Sequence, residues 1–171
     1  IAEWISDNAY YRKWIRNNMF YNGMIVSKVK KNSNDENKVY EMYYDYKELV
    51  KQIKPHRVLA LNRGEKEDVL NVSIDIDETK ILNYLEEKII QNKNSFVVPV
   101  VQVAIKDAYK RLIAPSVERE IRTELTTTSC EVAIENFGKN LNSLLLTPPM
   151  KDKMVLALDP AYRTGCKLAV L

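Results

Sequence analysis

Met154-Val155-Leu156-Ala157-Leu158-Asp159-Pro160-Ala161-Tyr162-Arg163-Thr164-Gly165-Cys166-Lys167-Leu168-Ala169-Val170-Leu171 is an apolar run that ends in an acid, a loop from proline to glycine, and a second apolar run. The expected structure is two strands joined by a loop, a β-hairpin. A carboxylate at the end of a buried strand is a common way of holding out a metal ligand or a general base, because the strand fixes the backbone while the loop leaves the oxygens free. Asp159 is therefore a candidate first acid of a site. It also precedes proline, where an aspartate serves as a turn residue accepting backbone hydrogen bonds, and one carboxylate is not a site.

Upstream of the hairpin the chain reads as mainly α. Ile1, Trp4, Ile5, Tyr11, Ile15 and Met19 recur at roughly helical spacing, with Asn22-Gly23 as a stop that tolerates the left-handed region. One amphipathic helix is predicted there. Residues 28–38 hold a single apolar side chain and predict an exposed, disordered loop. Tyr40, Tyr43, Tyr44, Val50 and Ile53 predict a second helix closed by Pro55. Its tyrosines read either as a core stripe with phenols reaching the surface or as base-stacking platforms. The string from Pro55 to Asn62 predicts a short helix with proline at its first position, ended by Gly64. Val69-Leu70-Asn71-Val72-Ser73-Ile74-Asp75 alternates with period two and predicts the one strand before the tail. Asp77-Glu78-Thr79 opens a helix carrying Ile81, Leu82, Leu85 and Ile89. Val97, Val101, Ala104, Ile105, Ala108 and Leu112 define another, interrupted by Pro115. Ser116 then caps a last helix that runs to Pro148-Pro149 and buries Val117, Ile121, Leu125, Val132, Phe137, Leu141 and Leu145. Thr126-Thr127-Thr128-Ser129 make it continuous but locally weak. The fold class is a multi-helix domain with a short strand over residues 1–147, followed by an incomplete β-hairpin in 148–171.

At 171 residues, with 46% hydrophobic and 29% charged side chains, the chain can bury one core with a small appendage and is not compositionally disordered. No apolar run approaches the roughly 20 residues of a membrane span, so no membrane partner is expected. Cys130 and Cys166 lack ligand or redox spacing and fit a reduced, cytoplasmic setting. Ile1 is no translation start and its neighbourhood already reads as mid-helix, so a longer natural protein is expected at both ends.

Several chemistries are excluded by residue type. Four glycines supply no phosphate-cradling loop. His56 is the lone imidazole, without a Gly-x-Ser-x-Gly nucleophile motif. Cys and His show no zinc spacing, and no cofactor is expected. The net charge of +3 says little by itself, but Lys51, Lys54, Arg57, Arg63 and Lys66 fall in one stretch whose only acid after Lys51 is Glu65. They read as a phosphate-facing patch or as a solvated helix face.

The tail, the string Asn140-Leu141-Asn142-Ser143-Leu144-Leu145-Leu146-Thr147-Pro148-Pro149 before it, and His56-Arg57-Val58-Leu59-Ala60-Leu61-Asn62-Arg63-Gly64-Glu65 resemble the Tex family of bacterial transcription accessory proteins. Leu112-Ile113-Ala114-Pro115-Ser116-Val117-Glu118-Arg119-Glu120 and Glu41-Met42-Tyr43-Tyr44-Asp45-Tyr46 match it too. The resemblance implies a multidomain nucleic-acid-binding protein with an N-terminal helical region, a YqgF-type RNase H-like domain, helix-hairpin-helix units and an oligonucleotide-binding barrel. Residues 1–147 would belong to the helical region and 148–171 to the first hairpin of the RNase H-like domain. It implies RNA or DNA and the transcription machinery as partners, and puts Asp159 at the first-acid position, with Ala161 where many catalytic relatives carry glycine.

Two functions follow as expectations. One is a helical scaffold with weak, sequence-independent phosphate contacts and no enzymatic activity of its own. The other is a segment of a metal-dependent RNase H-like nuclease whose remaining carboxylates lie elsewhere. The hairpin, marginal as two strands and open at both edges, is expected to be disordered, docked, or paired with another copy in a dimer by strand addition.

Overall fold

The computed structural model describes residues 1–31, 33, 35–148, 151–162 and 165–171. Parts of three expectations lie outside these residues: Pro149 of the predicted helix stop, Arg163 and Thr164 of the hairpin loop, and Asn32 and Asn34 of the predicted 28–38 loop. Two compact units are present, Ile1–Glu135 and Asn136–Leu171.

In the first unit, the predicted opening helix is two helices, α1 (Ala2–Ser6) and α2 (Ala9–Asn22). The break falls at Asp7-Asn8 because Asn8 is extended and its Oδ1 accepts from the N–H of Tyr10 (3.0 Å) and Tyr11 (3.3 Å), the N-cap geometry. Gly23 ends α2 in extended rather than left-handed backbone, at φ −73° and ψ 151°. Its requirement is space, since a Cβ there would lie 2.3 Å from the Met19 carbonyl oxygen. The chain then enters β1 (Met24–Val29), which takes up Lys28 and Val29 from the predicted loop.

The predicted helix over 40–53 does not form. It is β2 (Asp45–Leu49) between two short 3₁₀ turns, Glu41–Tyr43 and Val50–Gln52. β1 offers an edge on which residues 45–49, with Tyr46 among them, pair from Met24↔Leu49 to Lys28↔Asp45. The three-stranded antiparallel sheet has order β2-β1-β3, with β3 at Leu70–Asp75 as expected from its alternation. Leu70, Val72 and Ile74 face the core. Asp35 organises the preceding loop, accepting from the N–H of Val39 (2.9 Å) and Tyr40 (3.0 Å) and from the Tyr44 hydroxyl (2.9 Å).

Between β2 and β3 lies α3 (Pro55–Lys66), with proline in its first turn as predicted. Gly64 does not end it. A Cβ on Gly64 would stand 2.6 Å from Leu70 Cδ1, so this glycine permits the close approach of α3 to β3. Next comes α4 (Glu78–Ile89), capped by Asp77, whose Oδ1 accepts from Thr79 N at 3.0 Å. Trp14 of α2 stacks on Tyr84 of α4, with centroids 3.7 Å apart and planes 8° from parallel.

Pro115 does not interrupt the following helix. α5 (Val98–Asp107) runs through a π-helical stretch, Ala108–Ile113, into α6 (Ala114–Leu145) with helical backbone at both junctions. A proline lacks the N–H for its i−4 partner and its ring opposes that carbonyl, here of Arg111. The wider π turn immediately before Pro115 absorbs that mismatch. It also seats Ala108, Tyr109 and Ile113 in the core.

Only the first half of α6 buries side chains. Val117 and Ile121 are fully buried and Leu125 packs against the core, but Val132, Phe137, Leu141 and Leu145 are exposed, contrary to the predicted face. Ser116 is no cap, and its Oγ accepts from Arg12 Nη2 at 2.7 Å. The docked half is held by polar contacts of similar kind: Arg16 to Glu120 (2.9 Å) and Glu124, and Asn62 Nδ2 to Thr126 Oγ1 at 2.8 Å. Glu118 Oε1 accepts from the N–H of Ile74 at 3.0 Å and Arg122 Nη1 donates to the carbonyl of Val72 at 3.3 Å, so α6 satisfies the outer edge of β3. The threonine run is helical, its hydroxyls donating back to carbonyls one turn earlier, as Thr126 does to Arg122 at 2.7 Å.

In the second unit, β4 (Leu156–Pro160) and β5 (Cys166–Val170) form the expected antiparallel hairpin. Leu156 opposes Val170 and Leu158 opposes Leu168, which gives one apolar face, and all four side chains are exposed.

Candidate nucleic-acid interface

The basic stretch 51–66 spans the second 3₁₀ turn and α3, and the fold sorts its members into three places. Lys51 lies in the turn, and its Nζ sits 4.9 Å from the centroid of the Tyr21 ring. Lys54 is the residue before α3, extended and exposed. Pro55 fixes the helix start just after it, so Lys51 and Lys54 flank one end of α3.

Arg57 is committed elsewhere. Its Nη1 donates to Glu48 Oε1 at 2.7 Å, and the Tyr46 hydroxyl donates to the other oxygen of the same carboxylate. Burial pushes the Glu48 carboxyl up, but the hydrogen bonds from Tyr46 and Arg57, with the charges of Arg57 and Lys54, outweigh it and hold Glu48 below the usual carboxylate range. Burial first, then the bond to Glu48, pushes Tyr46 up to about 12. The bond to Glu48 raises Arg57 above its ordinary value. Glu48 is the only carboxylate in residues 46–64, and it is spent on this cluster. Among the described residues Lys51 and Lys54 take part in no ion pair.

Arg63 and Lys66 occupy the last turn of α3, where cations complement the helix dipole. At about 100° per residue they lie on neighbouring faces, whereas Lys66 is roughly half a turn around from Arg57 and about 14 Å further along the axis. Acids crowd this end. Glu65 binds Arg122, Glu67 accepts from the buried Tyr40 hydroxyl at 2.8 Å, and Asp68 pairs with Lys30 at 2.6 Å. The structure thus places Lys51 and Lys54 just before α3, Arg57 in its first turn bound to Glu48, and Arg63 and Lys66 in its last turn. Sequence reading passed over Tyr21, whose signal was an aromatic at the end of a helix without a single acid.

A groove of about 520 Å³ opens between α3 and α6, lined by Asn62, Glu65, Arg119, Arg122 and Thr126 among others. Its Glu65, Arg122, Asn62 and Thr126 already bond one another or the sheet edge, so its chemistry is that of a joint. Asp159 stands in β4 opposite Lys167 of β5, exposed. Among the described residues no three His, Cys, Asp or Glu side chains are placed to hold a metal ion, and no helix is long and apolar enough to cross a membrane.

Fold and site together describe a mainly helical module with exposed lysines at the head of a short helix. Comparison with known proteins gives that module its family. The chain belongs to the Tex central region-like family, whose model matches residues 1–137. It is 54% identical over 171 residues to YdcI of Bacillus subtilis, covering 99% of this chain and 24% of that protein. It is 35% identical over 153 residues to the human S1 RNA-binding domain-containing protein 1, covering 85% of this chain and 15% of that protein. Protein tex of Bordetella pertussis is 28% identical over 188 residues, covering the whole of this chain and 23% of its own length. The chain therefore spans about a quarter or less of these relatives.

Proposed function

We propose that the chain is the helical scaffold of a cytoplasmic, nucleic-acid-associated transcription accessory factor, one that makes weak, sequence-independent phosphate contacts. Lys51, Lys54, Arg57, Arg63 and Lys66 supply the charge, with Lys51 and Lys54 foremost. The observation that carries this assignment is the capture of Glu48 by Arg57 and Tyr46, while Lys51 and Lys54 at the head of α3 stay exposed and form no ion pair among the described residues. Family membership supports it, as do relatives named for transcription and for RNA binding. In the same reading residues 1–147 form the helical domain, 148–171 begin a YqgF-type RNase H-like domain, and the transcription machinery is the wider partner. The open edges of the hairpin pair with those of a second copy. Light scattering with residues 154–171 deleted then shows a smaller particle than the full chain.

Titration of the chain against single-stranded RNA and duplex DNA over a series of salt concentrations tests the phosphate contacts. Affinity should fall steeply with salt, by about 0.7 to 0.9 in the logarithmic slope per neutralised phosphate. Lys54→Glu, Arg63→Glu and Lys66→Glu together should weaken binding to both nucleic acids. Affinity that survives added salt and the triple reversal makes the patch a solvated face.

A second reading, a segment of a metal-dependent nuclease, is supported by Asp159 standing near the end of β4 ahead of the loop. It requires further carboxylates around that position.

A further inference from the structure

The solvent face of α2 carries a pattern that the phosphate patch does not use. Residues 9–22 contain Arg12, Lys13 and Arg16 and no acid. Arg12 and Arg16 are bound by Ser116, Glu120 and Glu124 of α6, and Ile15 and Met19 fill the core. On the remaining side Tyr10, Lys13, Asn17 and Tyr21 fall within about 60° of one line along the helix, at about 100° per residue. All four are exposed, Tyr10 to 83% and Tyr21 to 54%.

The line continues past the helix end onto Lys51, whose ammonium lies over the Tyr21 ring, while Phe20 meets the same ring edge-on at 5.4 Å and 88°. Tyr21 is thus held in orientation from two sides and still keeps about half its surface in water. Neither Tyr10 nor Tyr21 packs against the buried core. Alternating with cations and an amide over about 16 Å of helix, they match what an unpaired strand offers: flat base faces for the rings and phosphates for the ammonium groups.

We propose that this ridge is a binding site for single-stranded nucleic acid, in which bases stack on Tyr10 and on the free side of Tyr21, the phosphate between them meets Lys13 and the one beyond Tyr21 meets Lys51. The proposal deepens the phosphate-binding reading by assigning it a preference, because a duplex keeps its bases stacked inside and can use only the cations.

The test compares binding of the full chain to a fluorescent oligouridine and to a duplex of matched length. Tyr10→Ala with Tyr21→Ala should weaken single-strand binding about ten-fold or more, since each stacked base is worth roughly five-fold upward, and leave duplex binding unchanged. Tyr10→Phe with Tyr21→Phe should retain single-strand affinity, because the ring face remains. Both pairs lie on the surface, and circular dichroism confirms that they fold. Equal losses on both nucleic acids, no loss, or phenylalanine behaving like alanine would overturn the ridge. If the Lys54, Arg63 and Lys66 reversal weakens binding while the tyrosine variants do not, the phosphate patch stands and the ridge fails. If the parent chain binds neither nucleic acid, both fail.

Discussion

Replacing Ile121 and Phe137 by alanine, one at a time, separates the two halves of α6. Both sit on the stripe that periodicity assigns to the core, yet Ile121 is fully buried and Phe137 is 67% exposed. Ile121→Ala removes three carbon groups at about 0.8 kcal/mol each, and the incompletely collapsed cavity adds roughly 1 to 2 kcal/mol, for a loss of about 3 to 4 kcal/mol. Phe137→Ala should change stability by less than about 0.5 kcal/mol, with the better helix propensity of alanine offsetting what little contact is lost. Urea unfolding followed by tryptophan fluorescence reads the difference, because Trp14 is stacked on Tyr84 within the first unit. At a denaturant dependence of about 2 kcal/mol per molar, Ile121→Ala should lower the midpoint by roughly 1.5 to 2 M. A comparable drop for Phe137→Ala would refute the claim that the apolar face of α6 stops contributing beyond Ser129.

Glu48→Gln should free Arg57 next to Lys51 and Lys54, raising nucleic-acid affinity and steepening the salt dependence by up to about 0.9 in logarithmic slope. An unchanged slope would place Arg57 away from the interface. Tyr46 and Tyr109 are both pushed up to about 12, by burial first and then by neighbouring carboxylates. Because their folded values exceed the unfolded value of about 10, the stability they contribute is complete below pH 10 and lost as pH rises toward 12. Absorbance titration of tyrosinate should show late steps that disappear in Tyr46→Phe and Tyr109→Phe, coinciding with alkaline unfolding. With Mg²⁺ or Mn²⁺ the chain should show no hydrolysis of RNA or DNA, since Asp159 belongs to no group of three metal-ligating side chains among the described residues. Metal-dependent cleavage abolished by Asp159→Asn would overturn that expectation.

What could be read in advance was whatever rested on local signals. β3 announced itself by strict alternation, α4 by Asp77 before its apolar periodicity, α3 by Pro55, and the hairpin by two apolar runs around a proline-to-glycine loop. The misreadings share a physical cause, which is that a partner distant in sequence decided the outcome. Tyr40, Tyr43 and Tyr44 have helical spacing and reach only a 3₁₀ turn, because residues 45–49 right after them pair with β1, an edge that no local count registers. Gly64 looks like a stop and is in fact a point of close approach to Leu70, whereas Gly23 does end α2. Pro115 looks like a break because its cost is visible locally, whereas the π turn that absorbs it depends on burying Tyr109 and Ile113. The same holds for the site. The basic residues were legible as a cluster, but the withdrawal of Arg57 by Glu48 and the approach of Lys51 to Tyr21 are tertiary facts.

The contacts of Glu118 and Arg122 with the outer edge of β3 also set how this sheet can associate. A strand edge is a valence, and a sheet with two open edges can polymerise without limit. Here α6 occupies one of them through the Ile74 N–H and the Val72 carbonyl, so the β2-β1-β3 sheet is monovalent, with growth confined to β2. Two copies meeting edge to edge through β2 would form a closed two-fold pair that consumes both valences and terminates the chain reaction. Loss of Glu118 or Arg122 would restore the second valence, turning a self-limiting contact into one that can propagate as a fibre.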